Sequence, residues 1–458
     1  MNLFHIAWRN IQQRGLASAL TMLSMALGVA LVVVVLSIGW VITESFSRNS
    51  NVGYNLIVGA KGGALQLTLN TVFYLSKPIE VLPYDQYLEF LPGKRRQEEI
   101  AKIGGRIQDP DRPGKYSLYM GGGFAIPVCL GDYFGQYRVV GTTRDFFEEL
   151  TYGSMGEFNY EFSDGRNFED CSEEHGYFEA VLGAQVARTM GKKVGETFTT
   201  THGDPDGKGH GKPFTIVGIL KPTGTPNDRA TFINIEGFYL MDGHARAYED
   251  VLNPDELKQD VNRAEEFAGQ PDRLPLEKRD ITAVLVKPGK GLFAMRMQQE
   301  IKKLPNAQAT SPVEQIGNLF GFIVKPIQYV LLVLTSVICA VSAVSILVSI
   351  YNSMNERKRD IAVMRALGAR RDLVFSVILV ESILIAFGGG LLGWFGGHLA
   401  AVSASPLIQA QTGVGVSWTT ISVVELWLVP GLILLAILAG LVPALVAYRT
   451  DVSRSLNA

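Results

Sequence analysis

Apolar positions cluster in four long runs, at 16–42, 324–350, 373–402 and 424–447. Each exceeds the roughly 20 residues that an α-helix needs to cross a bilayer core. The sequence from 44 to 322 is patterned differently, with charges, Gly/Pro turns and short alternating strands such as FTIVGIL (214–220), YRVVGTT (137–143) and AVLVKPG (283–289). A helical pattern, AMRMQQEIKKL at 294–304, precedes the return to apolar sequence. These patterns predict an α-helical membrane protein with four transmembrane helices, one plus three, and a large two-lobed α+β extracytoplasmic domain inserted after the first.

The predicted division is a cytoplasmic leader (1–15), a first span (16–43), the inserted domain (44–322) and a second span (323–352). A cytoplasmic segment (353–372), a third span (373–402), an outer loop (403–423), a fourth span (424–448) and a cytoplasmic tail (449–458) follow. The first run is longer than a signal-peptide core of about 7–15 residues and no small-residue cleavage site follows it, so a retained anchor is expected. Orientation rests on the short flanking segments. Arg9 and Arg14 precede the first span, six Lys or Arg residues crowd between the second and third, and Arg449 and Arg454 follow the fourth. The 403–423 loop has neither Lys nor Arg, which places both termini in the cytoplasm and the large domain outside.

Several local patterns refine this picture. In the leader, Leu3, Ile6, Ala7, Asn10 and Ile11 fall near one helical face, which fits an amphipathic helix along the inner membrane surface or a simple run-in to the span. In the third span Gly389, Gly393 and Gly397 recur every fourth residue, a small-residue stripe that lets another backbone approach, widened by Gly388, Gly390 and Gly396. Pro430 and Pro443 predict a kink or the ends of the fourth helix.

Composition narrows the function classes. Apolar residues make up 47% of the chain and the formal net charge is -2, so there is no basic surface for nucleic acid. Cys129 and Cys171 could pair in an oxidising compartment or remain free thiols, and Cys339 lies inside a span. No GxxxxGK[ST] pattern, GxSxG elbow, HExxH helix or CxxC pair occurs in the 458 residues. No enzyme chemistry, and no cofactor, is therefore expected in the chain itself.

Two groups of ionisable residues invite a chemical reading. THGDPDGKGHGKP, at 201–213, sets His202 and His210 beside Asp204 and Asp206, a donor set for zinc or another divalent cation; a solvated hairpin tip has the same composition. Glu381, about two turns into the third span, is costly to bury in a bilayer unless it faces protein or water. It reads as a hydrogen-bonding group at a helix interface or, without an intramembrane partner to support it, as a proton carrier. Glu425, beside Trp427, is expected at the membrane interface.

The segment between the second and third spans is the most distinctive. From Glu356 to Leu367 it favours helix, Ile361, Met364 and Leu367 form an apolar patch, Arg357 and Arg365 lie mainly beyond it, and Gly368 is placed to end the helix. The positive-inside rule accounts for the charges but not for an apolar patch that needs something to bury against. NERKRDIAVMRALGARR resembles the cytoplasmic coupling segment of the FtsX/MacB-type permeases of ABC transporters, usually E-R-x-x-E-I-G-x-x-R-A-x-G-A-x. Asp360 here replaces the usual Glu and Ala362 the usual Gly. VESILIAFGGGLLGWFGG in the third span is similar to a further family segment. VVGTTRDFFEEL, DGRNF, VLGAQVARTMGKKVGETF and FTIVGIL follow the motif order of the MacB-like extracytoplasmic core domain.

The resemblance implies a permease subunit in a bacterial inner membrane, coupling a partner's ATP hydrolysis to ectodomain motion (mechanotransmission) for export or extraction of a substrate. It implies a cytoplasmic ABC ATPase carrying the ATP and Mg, a second permease chain, identical or paralogous, and contact with membrane lipids. A periplasmic adaptor or lipoprotein would be a further partner. Glu356, Arg357, Asp360, Ile361, Met364, Arg365, Leu367 and Gly368 would contact the ATPase, and Glu381, Gly389, Gly393 and Gly397 would pack and transmit movement, the glycine face also suiting a second permease chain. A regulator of a cell-wall hydrolase that moves no substrate is an alternative of the same architecture, though usually with a smaller ectodomain. A proton-coupled carrier using Glu381 is another, without the helix count or inverted repeat of such carriers.

Overall fold

A computed structural model describes residues 3–50, 53–75, 80–104, 107, 109–153, 156–207, 209–241, 243–244, 273–356, 369–412, 416–418 and 423–449. The chain forms two compact units, Met1–Glu44 with Phe320–Ala458, and Ser45–Leu319.

The second unit is organised by one sheet of eleven strands. Its main path runs Ala307–Thr310, Leu56–Ala60, Ala283–Lys287, Phe124–Phe134, Tyr137–Thr142, Ala230–Asn234, Glu179–Leu182, Phe214–Leu220 and Phe162–Gly165. Most neighbours are antiparallel, but Ala230–Asn234 runs parallel to Tyr137–Thr142, and Phe214–Leu220 parallel to Glu179–Leu182. The two-lobed division expected of this region is thus replaced by a single sheet that runs through it.

The strands also depart from simple alternation, because the sheet is covered on both faces. Leu56, Val139, Ala180, Leu182, Ile233, Val284 and Val286 enter one core, while their neighbours Ile57, Val140, Val181, Phe232 and Leu285 enter the other. A strand buried on both sides reads as a continuous apolar run, which is why AVLV and EAVL carry so little polar alternation. In the second core Phe146 and Phe147 pack edge-on or tilted against Phe232, with centroids 4.9 and 5.0 Å away. The helix Gly291–Ile301 corresponds to the expected 294–304 segment and inserts Ala294, Met297 and Ile301 into the first core.

Cys129 lies in that first core as a free thiol, its sulfur 3.4 Å from the Tyr239 hydroxyl, and Cys171 is also free. Burial pushes the Cys129 thiol up to about 12, which leaves it unreactive at neutral pH.

In the first unit the main helices are Leu3–Gln13, Gly15–Ser50, Lys325–Glu356, Arg371–Thr412 and Leu428–Arg449. Among the described residues four stretches, Gly15–Val41, Pro312–Asn352, Arg371–Ile408 and Glu425–Val446, are long and apolar enough to cross a membrane. Met25, Val29, Val33, Ile346, Ile385 and Ala436 build their shared core, while Leu27, Val333, Leu392 and Leu438 stay exposed on outward faces. Pro430 occupies the first turn of its helix, where its missing N–H has no intrahelical acceptor to lose, and Pro443 is accommodated inside it.

The leader is anchored by protein contacts. Ala7 and Ile11 are buried, Ile11 in the same core as Val374 and Ile378, and Phe4 and Trp8 remain exposed. At its end Arg14 Nη2 donates to the Ser349 carbonyl at 3.1 Å, tying the leader to the last turns of Lys325–Glu356.

Candidate functional site

The most concentrated chemistry among the described residues lies in the second unit, where Asp132, His202, His210 and His244 converge. Asp132 sits near the end of the long Phe124–Phe134 strand. Pairing of that strand with Tyr137–Thr142 shifts register between Leu130 and Tyr133, the kind of irregularity that re-aims a side chain. On its other edge the short Thr201–His202 strand pairs antiparallel with it, and His202 stands directly opposite Asp132. Directly opposed residues project to the same face.

The hairpin then returns, with His210 N–H donating to the Thr200 carbonyl at 2.9 Å. His244 arrives from a third segment, just after the Ile235–Tyr239 helix, with its ring 4.2 Å from that of Phe238. The result is one carboxylate facing three imidazoles. His210 Nε2 and His244 Nε2 lie 3.0 and 3.2 Å from Asp132 Oδ2, and 3.3 Å from one another. His202 Nδ1 lies 3.3 Å from Oδ1.

The side chains of Asp132, His210 and His244 are buried, whereas that of His202 is 56% exposed. Burial by itself would raise the Asp132 pKa, but hydrogen bonds and charge from His210 and His244 outweigh it and hold the carboxyl well below the usual range. Burial lowers the His244 pKa below its ordinary value, against the pull of Asp132.

Of the four residues expected to hold a metal, the structure brings together His202 and His210 only. Asp204 and Asp206 belong to the turn, where the Asp204 backbone closes onto His202 and Gly207, and neither joins the group. Asp132 and His244 take their place. No sequence spacing signals them, since strand pairing brings Asp132 to the hairpin and a separate helix delivers His244.

In the first unit the glycine stripe faces inward. A Cβ at Gly389, Gly393 or Gly397 would lie 2.8 Å from the Met22 carbonyl, 2.5 Å from that of Ala26 or 2.7 Å from Val33 Cβ. The stripe therefore seats the Arg371–Thr412 helix on Gly15–Ser50 of the same chain. This corrects the expectation that it would serve a second permease chain, because the first helix already occupies that face. Glu381 is buried on the same long helix.

Glu425 is buried as well. Its Oε2 lies 3.0 Å from His398 Nε2, and the Trp394 ring covers the imidazole at 4.7 Å. A paired carboxylate can be buried where a lone one would be costly. Beside this pair an apolar cavity of about 320 Å³ is bordered by Phe387, Leu391, Trp394 and Leu432. Arg357, Asp360, Ile361, Met364, Arg365, Leu367 and Gly368, expected to contact an ATPase, lie outside the described residues, and Glu356 ends the helix before them.

Residues 18–267 match the family model of the MacB-like periplasmic core domain, and residues 314–452 that of the FtsX-like permease C-terminal domain. The chain is 22% identical over 352 residues to the macrolide export ATP-binding/permease protein MacB of Rhodopirellula baltica, over 71% of this chain and 48% of that protein. It is 24% identical over 294 residues to the lipoprotein-releasing system transmembrane protein LolC of Haemophilus influenzae, over 62% and 65% of the two chains. Identity is 23% over 414 residues to an uncharacterized ABC transporter permease of Methanocaldococcus jannaschii, over 86% and 82%. The chain spans about half the length of the MacB relative and just under two thirds of the LolC relative.

Proposed function

The chain belongs to the family of FtsX-like permeases that carry a MacB-like periplasmic core domain, and on that premise we propose that it is the membrane subunit of an ABC transporter driven by a separate cytoplasmic ATPase. The observation that carries this reading is the order of the two family matches along one chain that also holds four bilayer-length apolar helices. The exposed leucines and valines of those helices suit a lipid surrounding. Residues 353–372 lie in the cytoplasm in this arrangement and the large domain outside.

Ile361, Met364 and Leu367 dock in a groove of the ATPase, as an amphipathic helix does, while Arg357 and Arg365 set orientation and on-rate. Movement imposed there enters the Arg371–Thr412 helix, which follows directly in sequence. The close glycine seat passes it to Gly15–Ser50, and that helix leads in sequence to the large domain. ATP and Mg reside on the partner, and the output is export or extraction of a substrate by ectodomain motion.

Replacing both Met364 and Leu367 with Asp is expected to weaken ATPase association by more than about tenfold, since apolar anchors at an interface centre carry most of the binding energy. The chain should remain in the membrane fraction. Undiminished recovery of the ATPase in a pull-down from solubilised membranes would overturn the assignment.

A further inference from the structure

We infer that Asp132, His202, His210 and His244 form a binding site for one divalent transition-metal cation of the zinc class. This goes beyond the permease reading and stands on the geometry of the second unit alone.

The spacing is the first argument. Zinc holds nitrogen and oxygen donors at roughly 2.0–2.1 Å in a tetrahedron, so neighbouring donors stand roughly 3.3 Å apart along its edges. The separations of 3.0, 3.2 and 3.3 Å among Asp132 Oδ2 and the Nε2 atoms of His210 and His244 match three such edges, and His202 Nδ1 stands 3.3 Å from the other carboxylate oxygen. All four donors lie within 4.8 Å of one another.

Hydrogen bonding among these groups leaves an imbalance that a cation removes. His210 and His244 both direct Nε2 at the single oxygen Oδ2, which also accepts from Thr200 Oγ1 at 3.3 Å. Oδ1, equally buried, accepts no hydrogen bond among the described residues, although His202 Nδ1 is close. Two Nε2 atoms 3.3 Å apart cannot both present a proton to the other, whereas their lone pairs can share one cation. A buried polar atom without a partner calls for an explanation, and a bound ion supplies one here.

The donor set decides the metal class. Three imidazoles and one carboxylate suit Zn(II), Cu(II) or Ni(II), whereas Mg(II) and Ca(II) prefer oxygen donors. Four protein ligands close a tetrahedral site and leave no position for a reacting water, so the site clasps or carries a metal and does not hydrolyse. His202, alone among the four in being half-exposed, is the side from which the ion enters and leaves. A bound ion would join the Phe124–Phe134 strand, the 201–210 hairpin and the segment after Ile235–Tyr239.

The test uses the full-length chain purified in detergent, stripped with a chelator and titrated with Zn(II) alone against a chromophoric competitor. One Zn(II) per chain is expected, and Co(II) in its place should give the intense visible absorption of a tetrahedral site. The double variant His210→Ala/His244→Ala should lose affinity by more than about tenfold. So should His202→Ala, which alters an exposed side chain and keeps the test decisive if the double variant misfolds. His175→Ala, outside the cluster, should bind as the unaltered chain does. Absence of stoichiometric binding, or stoichiometric binding that His202→Ala and the double variant leave unchanged, would overturn the site.

Discussion

Glu236→Ala will destabilise the large domain by about 3–5 kcal/mol, because it strands a buried cation. Arg279, fully buried, donates through Nη1 and Nη2 to the two carboxylate oxygens of Glu236 at 3.0 and 2.5 Å, and through Nε to the Leu274 carbonyl at 2.6 Å. Its guanidinium lies over the rings of Tyr84 and Tyr239, 5.3 and 5.0 Å from their centroids. Burial opposes the charge, but Glu236 outweighs it and holds the Arg279 pKa above its ordinary value. Without the carboxylate the cation keeps its desolvation cost and loses its compensation.

Glu236 also lies in the first turn of the Ile235–Tyr239 helix, where the Asn234 side chain caps its N–H at 2.9 Å. That helix leads to His244, so the loss would reach the histidine cluster. Denaturant unfolding of the solubilised chain, followed by intrinsic fluorescence, measures the effect. A double change of Glu236→Leu and Arg279→Met should recover most of the stability, since an apolar pair carries no stranded charge. The exposed pair Lys221 and Glu161, 2.6 Å apart, supplies the contrast, and Lys221→Ala should leave the midpoint where it is. A Glu236→Ala midpoint equal to that of the unaltered chain would show that the ion pair does not hold this region.

Gly393→Leu will be the most damaging single change tested in the helical unit, costing about 3 kcal/mol or more, at or beyond the upper end for overpacking. A Cβ there already falls 2.5 Å from the Ala26 carbonyl oxygen and 2.7 Å from Val29 Cβ. Rotamer adjustment cannot move a backbone oxygen, so the two helices must separate along the contact that includes Gly389 and Gly397. Gly396→Leu, three residues away on the same helix, meets nothing within 4 Å and serves as the matched control. Thermal aggregation midpoints of the two variants in detergent should differ sharply; equal losses would mean that helix propensity, and not the close seat, governs the result.

The helical unit and the histidine cluster were legible to very different degrees. Apolar runs of bilayer length, the fourfold spacing of Gly389, Gly393 and Gly397, and the patch of Ile361, Met364 and Leu367 are local patterns with helical periodicity, and a local pattern survives in one dimension. The order of helices and inserted domain follows from it, and the expectation for residues 356–368 rests on sequence alone.

What such patterns lack is the identity of the partner. The glycine stripe announces a close approach, but the tertiary structure decided that the approaching backbone is the chain's own first helix. Nothing in the sequence around Glu425 announces His398, which lies 3.0 Å away in the fold. Alternation within the strands gave way because helices and loops cover both faces of the sheet. The cluster of Asp132, His202, His210 and His244 is the clearest case. Sequence proximity proposed Asp204 and Asp206, whereas antiparallel pairing set Asp132 opposite His202 and a separate helix brought in His244. By itself the sequence determined which segments are apolar, helical or charged, because those properties depend on neighbours in the chain. Which carboxylate faces which imidazole was decided only by folding, because strand register and helix placement depend on the packing of the whole domain.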